Sequence, residues 1–402
     1  MIQLRSYQTD ISIEACELLN KYKVALLFME CRTGKSITAL EAARLYGAKN
    51  ILFITKKKAI KSIESDALHF DLNVTVINYE SVLKVKGNYD IAIIDECHSL
   101  GAIGKPNKRQ KEVKQIVKGL PIIYISATPN PENFNQLYHT LWVSSYSIWS
   151  DYSNFFKWAR DYVIIKQKMI NSKLMNDYSD TIEAKVIRDI EKLKITYTQT
   201  EAGFVNQVIE KVLTVDMPIA ERYMAELSKN KVIQGNTTAI LADTPVKEMQ
   251  KMAQLAGGTC ITEDGNAFIL DTSKADFIKD FFKGKKIAIL YNFKKELELL
   301  KTAFPNHTEI SEEFEESAYK VYLGQFVSTR EGVKLSTAYA LVMYGIAFSA
   351  TTYFQLRERH VSKDRQEPAY VYYIFCTKGI ENQIYKTVQN KKNFTLKHYV
   401  RT

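Results

Sequence analysis

Closely spaced cysteines are missing from this sequence, and that absence narrows its class first. Its five cysteines, Cys16, Cys31, Cys97, Cys260 and Cys376, are scattered over 402 residues. An odd count with no close pair argues against a disulfide framework or a zinc ribbon, and for a reducing compartment. Long apolar runs are missing too. The longest, Ala338 to Ala350, falls short of the roughly 20 residues that a membrane-spanning helix needs. The chain opens directly into Leu4-Arg5-Ser6-Tyr7-Gln8, with no signal-peptide pattern. No internal repeat or low-complexity tract is visible. These absences lead to the expectation of a soluble, cytoplasmic protein with no membrane partner.

Acidic residues are outnumbered, 45 against 55 lysines and arginines, for a net charge of +10. Such a balance favours a polyanionic partner. Apolar content of 46% and charged content of 25% are those of a globular protein. The length accommodates two domains of ordinary size.

Two stretches carry chemistry. Thr33-Gly34-Lys35-Ser36 follows the apolar run Val24–Phe28 and leads into a helical stretch. Met29 stands where the full phosphate-loop pattern has its first glycine. Ile91–Ile94 is a second apolar run, and it ends in Asp95-Glu96. A nucleoside triphosphate needs both parts. Backbone N–H groups and the Lys35 ammonium cradle its phosphates, Ser36 and Asp95 hold Mg²⁺, and Glu96 orients the attacking water. The pairing predicts an ATPase that uses ATP and Mg²⁺.

Around these motifs the first 130 or so residues alternate strand and helix patterns. Val24–Phe28, Asn50–Ile54, Asn73–Val76, Ile91–Ile94 and Pro121–Ile125 read as buried parallel strands, with helices over Ser36–Tyr46 and Lys58–His69. That alternation implies a doubly wound α/β sheet, whose ligands sit at the carboxyl ends of the strands. From about Asn130 the texture becomes aromatic, and all three tryptophans lie there. It reads as a helical insertion whose rings form their own small core, or in part as rings that stack on nucleic-acid bases. A second α/β region follows, with strands over Lys286–Tyr291, Val321–Val327, Tyr339–Tyr344 and Tyr370–Phe375 and helices over Lys294–Phe304 and Gln383–Lys391. Gly257 to Asn266 reads as a hairpin. The domains expected are 1–135, 136–206 and 207–402.

With its motifs in this order, the chain resembles superfamily-two helicases, and among them the Swi/Snf-type DNA translocases in a short stand-alone form found in bacteriophages. The resemblance implies two RecA-like doubly wound parallel-sheet lobes with an aromatic-rich helical insertion between them. It assigns Arg5 and Gln8 to the adenine-reading motif. Thr33, Gly34, Lys35 and Ser36 form the first motif, Asp95 and Glu96 the second. Ser126 and Thr128 match the third, which couples nucleotide state to the nucleic-acid site. Lys56, Lys57, Asn78 and Tyr79 stand where relatives contact DNA. Val327-Ser328-Thr329-Arg330-Glu331-Gly332 is similar to the fifth motif, with Ser328 and Thr329 toward DNA and Gly332 toward the nucleotide. Gln355 matches the glutamine of the sixth. Ser362 replaces that motif's second arginine, so the charge that reaches the γ-phosphate is either lost or passes to Arg359 or Arg365.

What the resemblance implies is an ATP-dependent translocase or helicase on DNA, whether duplex, forked or single-stranded, in replication or recombination. Phage or host replication proteins are its expected partners. An ATP-gated clamp or loading factor, and an RNA helicase, are the alternatives. No zinc finger, chromodomain or basic tail accompanies the motifs, which favours a compact motor over a chromatin remodeller.

Overall fold

A computed structural model describes residues 4–127, 133–170, 173–203, 208–235, 238–318, 320–330, 333–362, 365, 367–390 and 399. The chain divides into two compact units, Met1–Phe204 and Val205–Thr402.

In the first unit the strands are β1 (Val24–Met29), β2 (Asn50–Thr55), β3 (Asn73–Asn78), β4 (Ile91–Asp95), β5 (Ile122–Ile125), the hairpin β6 (Lys166–Ile170) and β7 (Lys173–Asp177), and β8 (Lys194–Tyr197). Six of them form one sheet in the order β3-β2-β4-β5-β1-β8, and every pairing in it is parallel. The five strands read from the sequence are all present, because runs such as Ile91–Ile94 are buried on both faces and such runs suit the interior of a parallel sheet. The helices Ser6–Tyr22 and Lys35–Leu45 pack together beside β1.

The segment from Asn133 onward departs from the expected insertion. It holds helices Gln136–Trp142, Phe155–Tyr162 and Glu183–Glu191, but also the β6–β7 hairpin and β8. Its aromatics do not form a core of their own. Tyr138, Trp149, Phe155, Trp158 and Tyr162 share one cluster with Val24, Leu26 and Tyr124 of the sheet, and Trp158 stacks on Tyr162 at 4.7 Å. Burying these rings against the sheet removes far more apolar surface from water than a short helical pair could bury alone. Trp149 and Trp158 are buried and so have no face free for a base. β8 then adds to β1, with Leu26 opposite Lys194 and Met29 opposite Tyr197.

In the second unit the strands are β9 (Val208–Val215), β10 (Val232–Gln234), β11 (Ala239–Leu241), β12 (Thr259–Ile261), β13 (Ala267–Ile269), β14 (Ile287–Tyr291), β15 (His307–Thr308), β16 (Val321–Gln325), β17 (Ala340–Met343) and β18 (Ala369–Cys376). Its six-stranded sheet runs β15-β16-β14-β17-β18-β9 and is also parallel throughout. The hairpin read over Gly257 to Asn266 is β12–β13. The strand expected to reach Val327 stops at Gln325, because a short helix, Phe326–Thr329, starts there and buries Phe326. Among the described residues, no helix is long and apolar enough to cross a membrane.

Candidate nucleotide site

Strand β1 delivers the chain to the loop Glu30–Gly34, and helix Lys35–Leu45 leaves it. Two residues take left-handed backbone, Arg32 at φ +62° and Gly34 at φ +82°. Glycine suits the second, where the backbone is left-handed and a Cβ would lie 2.1 Å from Gln8 Nε2, so that any side chain would displace the Gln8 amide. That contact brings the expected adenine-reading Gln8 against the phosphate loop. Gln8 Oε1 accepts from the Arg5 N–H at 2.9 Å, and the Tyr7 hydroxyl donates to the Thr33 carbonyl at 3.0 Å. Tyr7 stacks on Tyr197 at 4.5 Å, which braces the start of the first helix on β8.

The loop is held from inside as well. Thr33 is buried, and its Oγ1 donates to the Glu30 carbonyl at 2.8 Å. Lys35 Nζ donates to the same carbonyl at 2.9 Å, so its ammonium lies back over the loop. From the other side, the Gln199 N–H donates to Glu30 Oε2 at 2.6 Å and Gln199 Nε2 to the Cys31 carbonyl at 3.0 Å. Tyr7, Glu30 and Gln199 were not legible as site residues. Gln199 lies 168 positions from Cys31 in sequence, and no local pattern marks such a contact.

Strand β5 lies between β1 and β4, so the residue after it, Ser126, falls between the phosphate loop and Asp95-Glu96. Ser126 is buried, and its Oγ lies 3.3 Å from His98 Nδ1, which is itself 3.1 Å from Glu96 Oε2. The serine expected to couple therefore reaches Glu96 through one imidazole. Glu96 adopts left-handed backbone at φ +49°, a conformation that costs about 1 kcal/mol or more in a non-glycine residue. That turn lets the Glu96 N–H donate to Asp95 Oδ1 at 2.9 Å. Asp95 is 9% exposed, and its Oδ2 accepts from Thr55 Oγ1 at 2.7 Å. Burial, and then the Glu96 carboxylate, push the Asp95 carboxyl up to about 6, while Thr55 and the Lys35 ammonium hold it down. Two carboxyl groups side by side with one nearby ammonium form a site short of positive charge, which a Mg²⁺ ion would supply. Lys35, Ser36, Asp95 and Glu96 thus fit ATP and Mg²⁺. Thr55, which heads the Lys56-Lys57 stretch expected to contact DNA, is a further residue that the sequence did not place at the nucleotide site. Its signal was a hydroxyl ending the otherwise apolar strand Ile51–Ile54.

The other expected contacts sort by exposure. Lys57 is exposed, and Lys56 and Asn78 are half-buried at the carboxyl ends of β2 and β3. Tyr79 is not available to a nucleic acid: its ring is buried, and its hydroxyl donates to the Asp95 carbonyl at 2.5 Å. Thr329 is likewise buried, and Ser328 Oγ donates to the Gln325 carbonyl at 3.1 Å. Thr128 and Gly332 lie outside the described residues.

In the sixth-motif region Gln355 is buried, and Arg359 Nε donates to its carbonyl at 3.2 Å. Arg359 Nη2 donates to the Arg330 carbonyl at 2.5 Å, and Arg330 Nη1 to Thr352 Oγ1 at 3.0 Å. Arg365 has a different task from the one expected. Its guanidinium donates to the carbonyls of Ser336, Ala338, Tyr339, Glu367 and Pro368. Three of these immediately precede β17, at the amino end of the sheet, away from the edge where such sheets bind ligands. Arg365 pins a loop to the strand, which leaves Arg359 as the arginine to test.

No family model matches the sequence, and no curated protein matches it. Among solved structures, the chain is similar to the helicase domain of Pyrococcus furiosus Hef, at 12% identity over 96% of this chain and 98% of that one, with a TM-score of 0.51. It is also aligned with the SWI2/SNF2 ATPase core domain of Sulfolobus solfataricus, at 14% identity over 97% of this chain and 89% of that one, with a TM-score of 0.43. Identities this low speak to fold. Two parallel six-stranded sheets and a likeness that spans both units give the chain the two-lobed, RecA-like α/β fold of a helicase domain.

Proposed function

We propose that this chain is a nucleic-acid-stimulated ATPase that converts hydrolysis into movement on duplex or branched DNA. The observation that carries the reading is local to the first unit. The phosphate loop, the Asp95-Glu96 pair and Ser126 end three neighbouring strands, β1, β4 and β5, at one edge of one sheet.

In this reading Gln8 and Arg5 orient the base, and the loop amides with Lys35 hold the phosphates. Ser36 and Asp95 hold Mg²⁺, which when bound supplies charge to the transferring phosphoryl group. Glu96 orients water and takes up its proton. Arg359 is the arginine to test for a role in hydrolysis, because a guanidinium matches phosphoryl oxygens in geometry as well as charge. Lys56, Lys57, Asn78 and Ser328 contact the nucleic-acid backbone, which makes binding sensitive to salt and largely indifferent to sequence. Replication or recombination of a bacteriophage genome is the setting the Swi/Snf-like resemblance suggests.

Steady-state ATP hydrolysis with no nucleic acid, single-stranded DNA, duplex DNA, forked DNA and single-stranded RNA tests the proposal. Stimulation by duplex or forked DNA supports it; stimulation by RNA alone moves the protein to RNA helicases. A second reading, an ATP-gated clamp or loading factor, is favoured by Ser362 and by the engagement of Arg365 with backbone carbonyls, which together leave the sixth motif short of arginine. A clamp binds DNA tightly with ATP yet displaces nothing placed in its path.

A further inference from the structure

Asp95 is held by two side chains that belong to neither nucleotide motif. Thr55 Oγ1 donates to its carboxylate at 2.7 Å, and the Tyr79 hydroxyl to its backbone carbonyl at 2.5 Å. Both residues are wholly buried. Strand register puts them there. Ile54 pairs with Ile94 and Thr55 with Asn78, so β2, β3 and β4 end level with one another. Each of the two also adjoins a residue assigned above to the nucleic acid. Thr55 precedes Lys56, and Tyr79 follows Asn78.

The Tyr79 ring carries two cations. Lys56 Nζ lies 5.9 Å from its centroid and the Arg109 guanidinium carbon 5.4 Å, and Arg109 Nη2 pairs with Glu80 at 2.8 Å. A path of direct contacts thus runs from a half-exposed lysine, over a buried ring, to the backbone of the magnesium-binding aspartate. A second contact runs from the end of the same strand to the carboxylate itself. Neither passes through Ser126, which reaches Glu96 by way of His98.

We propose that Thr55 and Tyr79 are positioning residues that carry nucleic-acid engagement at the ends of β2 and β3 to Asp95. The proposal rests on the reading of the chain as a nucleic-acid-stimulated ATPase. A phosphate that draws Lys56 off the Tyr79 ring alters the grip of that ring on the Asp95 carbonyl. Thr55 holds Asp95 Oδ2 while the Glu96 N–H holds Oδ1, so Thr55 helps set the orientation in which the carboxylate would meet the metal. A valine fills the same space as threonine but leaves Asp95 Oδ2 without its donor, and a phenylalanine at position 79 keeps the ring while losing the hydroxyl.

The test compares wild type with Thr55→Val, Thr55→Ser and Tyr79→Phe in two measurements. One is equilibrium binding of a fluorescent ATP analogue across a Mg²⁺ titration. The other is the ratio of hydrolysis rates with and without duplex DNA. Thr55→Val is expected to raise the Mg²⁺ needed for half-maximal binding about tenfold, the scale of one lost hydrogen bond to a charged group. Thr55→Ser restores it. Tyr79→Phe is expected to lower the stimulation ratio about tenfold, within the range of ordinary site-to-site coupling. If wild type is stimulated and Thr55→Val and Tyr79→Phe match it in both measurements, the relay is overturned alone. If wild type binds no nucleotide, the parent reading falls and the relay with it.

Discussion

In the first unit, the carboxyl ends of β1, β4 and β5 present the partly exposed Lys35 and Glu96 beside the buried Ser126. In the second, the ends of β14, β17 and β18 turn their polar groups inward. Lys274 is wholly buried, and its Nζ donates to the carbonyls of Ala256 and Tyr344 and pairs with Glu381 at 2.9 Å. Glu296 Oε2 accepts from the N–H groups of Asn292 and Phe293, directly after β14. At the sheet's outer strand, Glu210 accepts from the hydroxyls of Tyr353, Tyr373 and Tyr385 and faces Arg357 Nη1 at 3.5 Å. One sheet type therefore serves two ends. The first unit gathers its charges along the carboxyl edge of the sheet, and the second uses its own to fix the helix Ala350–Arg357 and the loops of its edge.

If that contrast is right, mutations should separate cleanly. The largest effect belongs to the first unit: Lys35→Ala should weaken ATP binding at least about a hundredfold, the scale of losing a charged, preorganised phosphate contact, with the melting temperature unchanged. Isothermal titration with Mg–ATP reads it. Next comes Lys274→Met, which strands Glu381 as a buried, uncompensated charge and should cost about 3–5 kcal/mol of stability. A Lys274→Met, Glu381→Leu double variant should recover most of that in denaturant titration. Full stability of the single variant would show that the second unit's pair is not buried as described.

A smaller effect follows from Glu296. Burial pushes its carboxyl up to about 7 from an ordinary 4.5, against the pull of the Phe293 and Asn292 N–H groups and of Lys274. The folded state therefore binds this proton more tightly than the unfolded state does. Its contribution is fully present below pH 4.5 and is lost as pH rises through about 7. Wild type should lose on the order of 1–3 kcal/mol across that window relative to Glu296→Gln, measured as the difference between their unfolding midpoints at each pH. Arg365→Lys gives the next step down. It should lower stability by about 1–2 kcal/mol through lost carbonyl contacts and leave the ATPase rate in place, whereas Arg359→Ala should lower that rate. The smallest effect is on salt: Lys57→Ala should reduce the slope of log affinity for DNA against log salt by about 1.

The sequence resolved the two units unequally. Strands such as Ile91–Ile94 are continuous apolar runs, so the fold of the first unit was legible, and so was the placing of the Gly34-Lys35 loop and Asp95-Glu96 at the ends of its strands. β8 and β9 were not read. The short Lys194–Tyr197 and the mixed Val208–Val215 carry alternating polar residues because each lies at a sheet edge. The aromatic segment misled for a related reason: helix-compatible spacing shows that rings share a face, not which neighbour covers it. Tyr79 and Arg365 misled by type. A tyrosine and an arginine in the expected places are equally suited to contact a ligand or to satisfy a buried carbonyl, and only the fold decides.

The central question is whether the carboxyl edge of the first unit hydrolyses ATP in answer to nucleic acid. Steady-state hydrolysis by wild type and by Glu96→Gln, each with and without duplex DNA, tests it most directly. The expected result is a DNA-stimulated wild-type rate that falls at least about a hundredfold in Glu96→Gln, with ATP binding retained. Equal turnover by the two proteins would contradict the assignment of Glu96 and, with it, of the site.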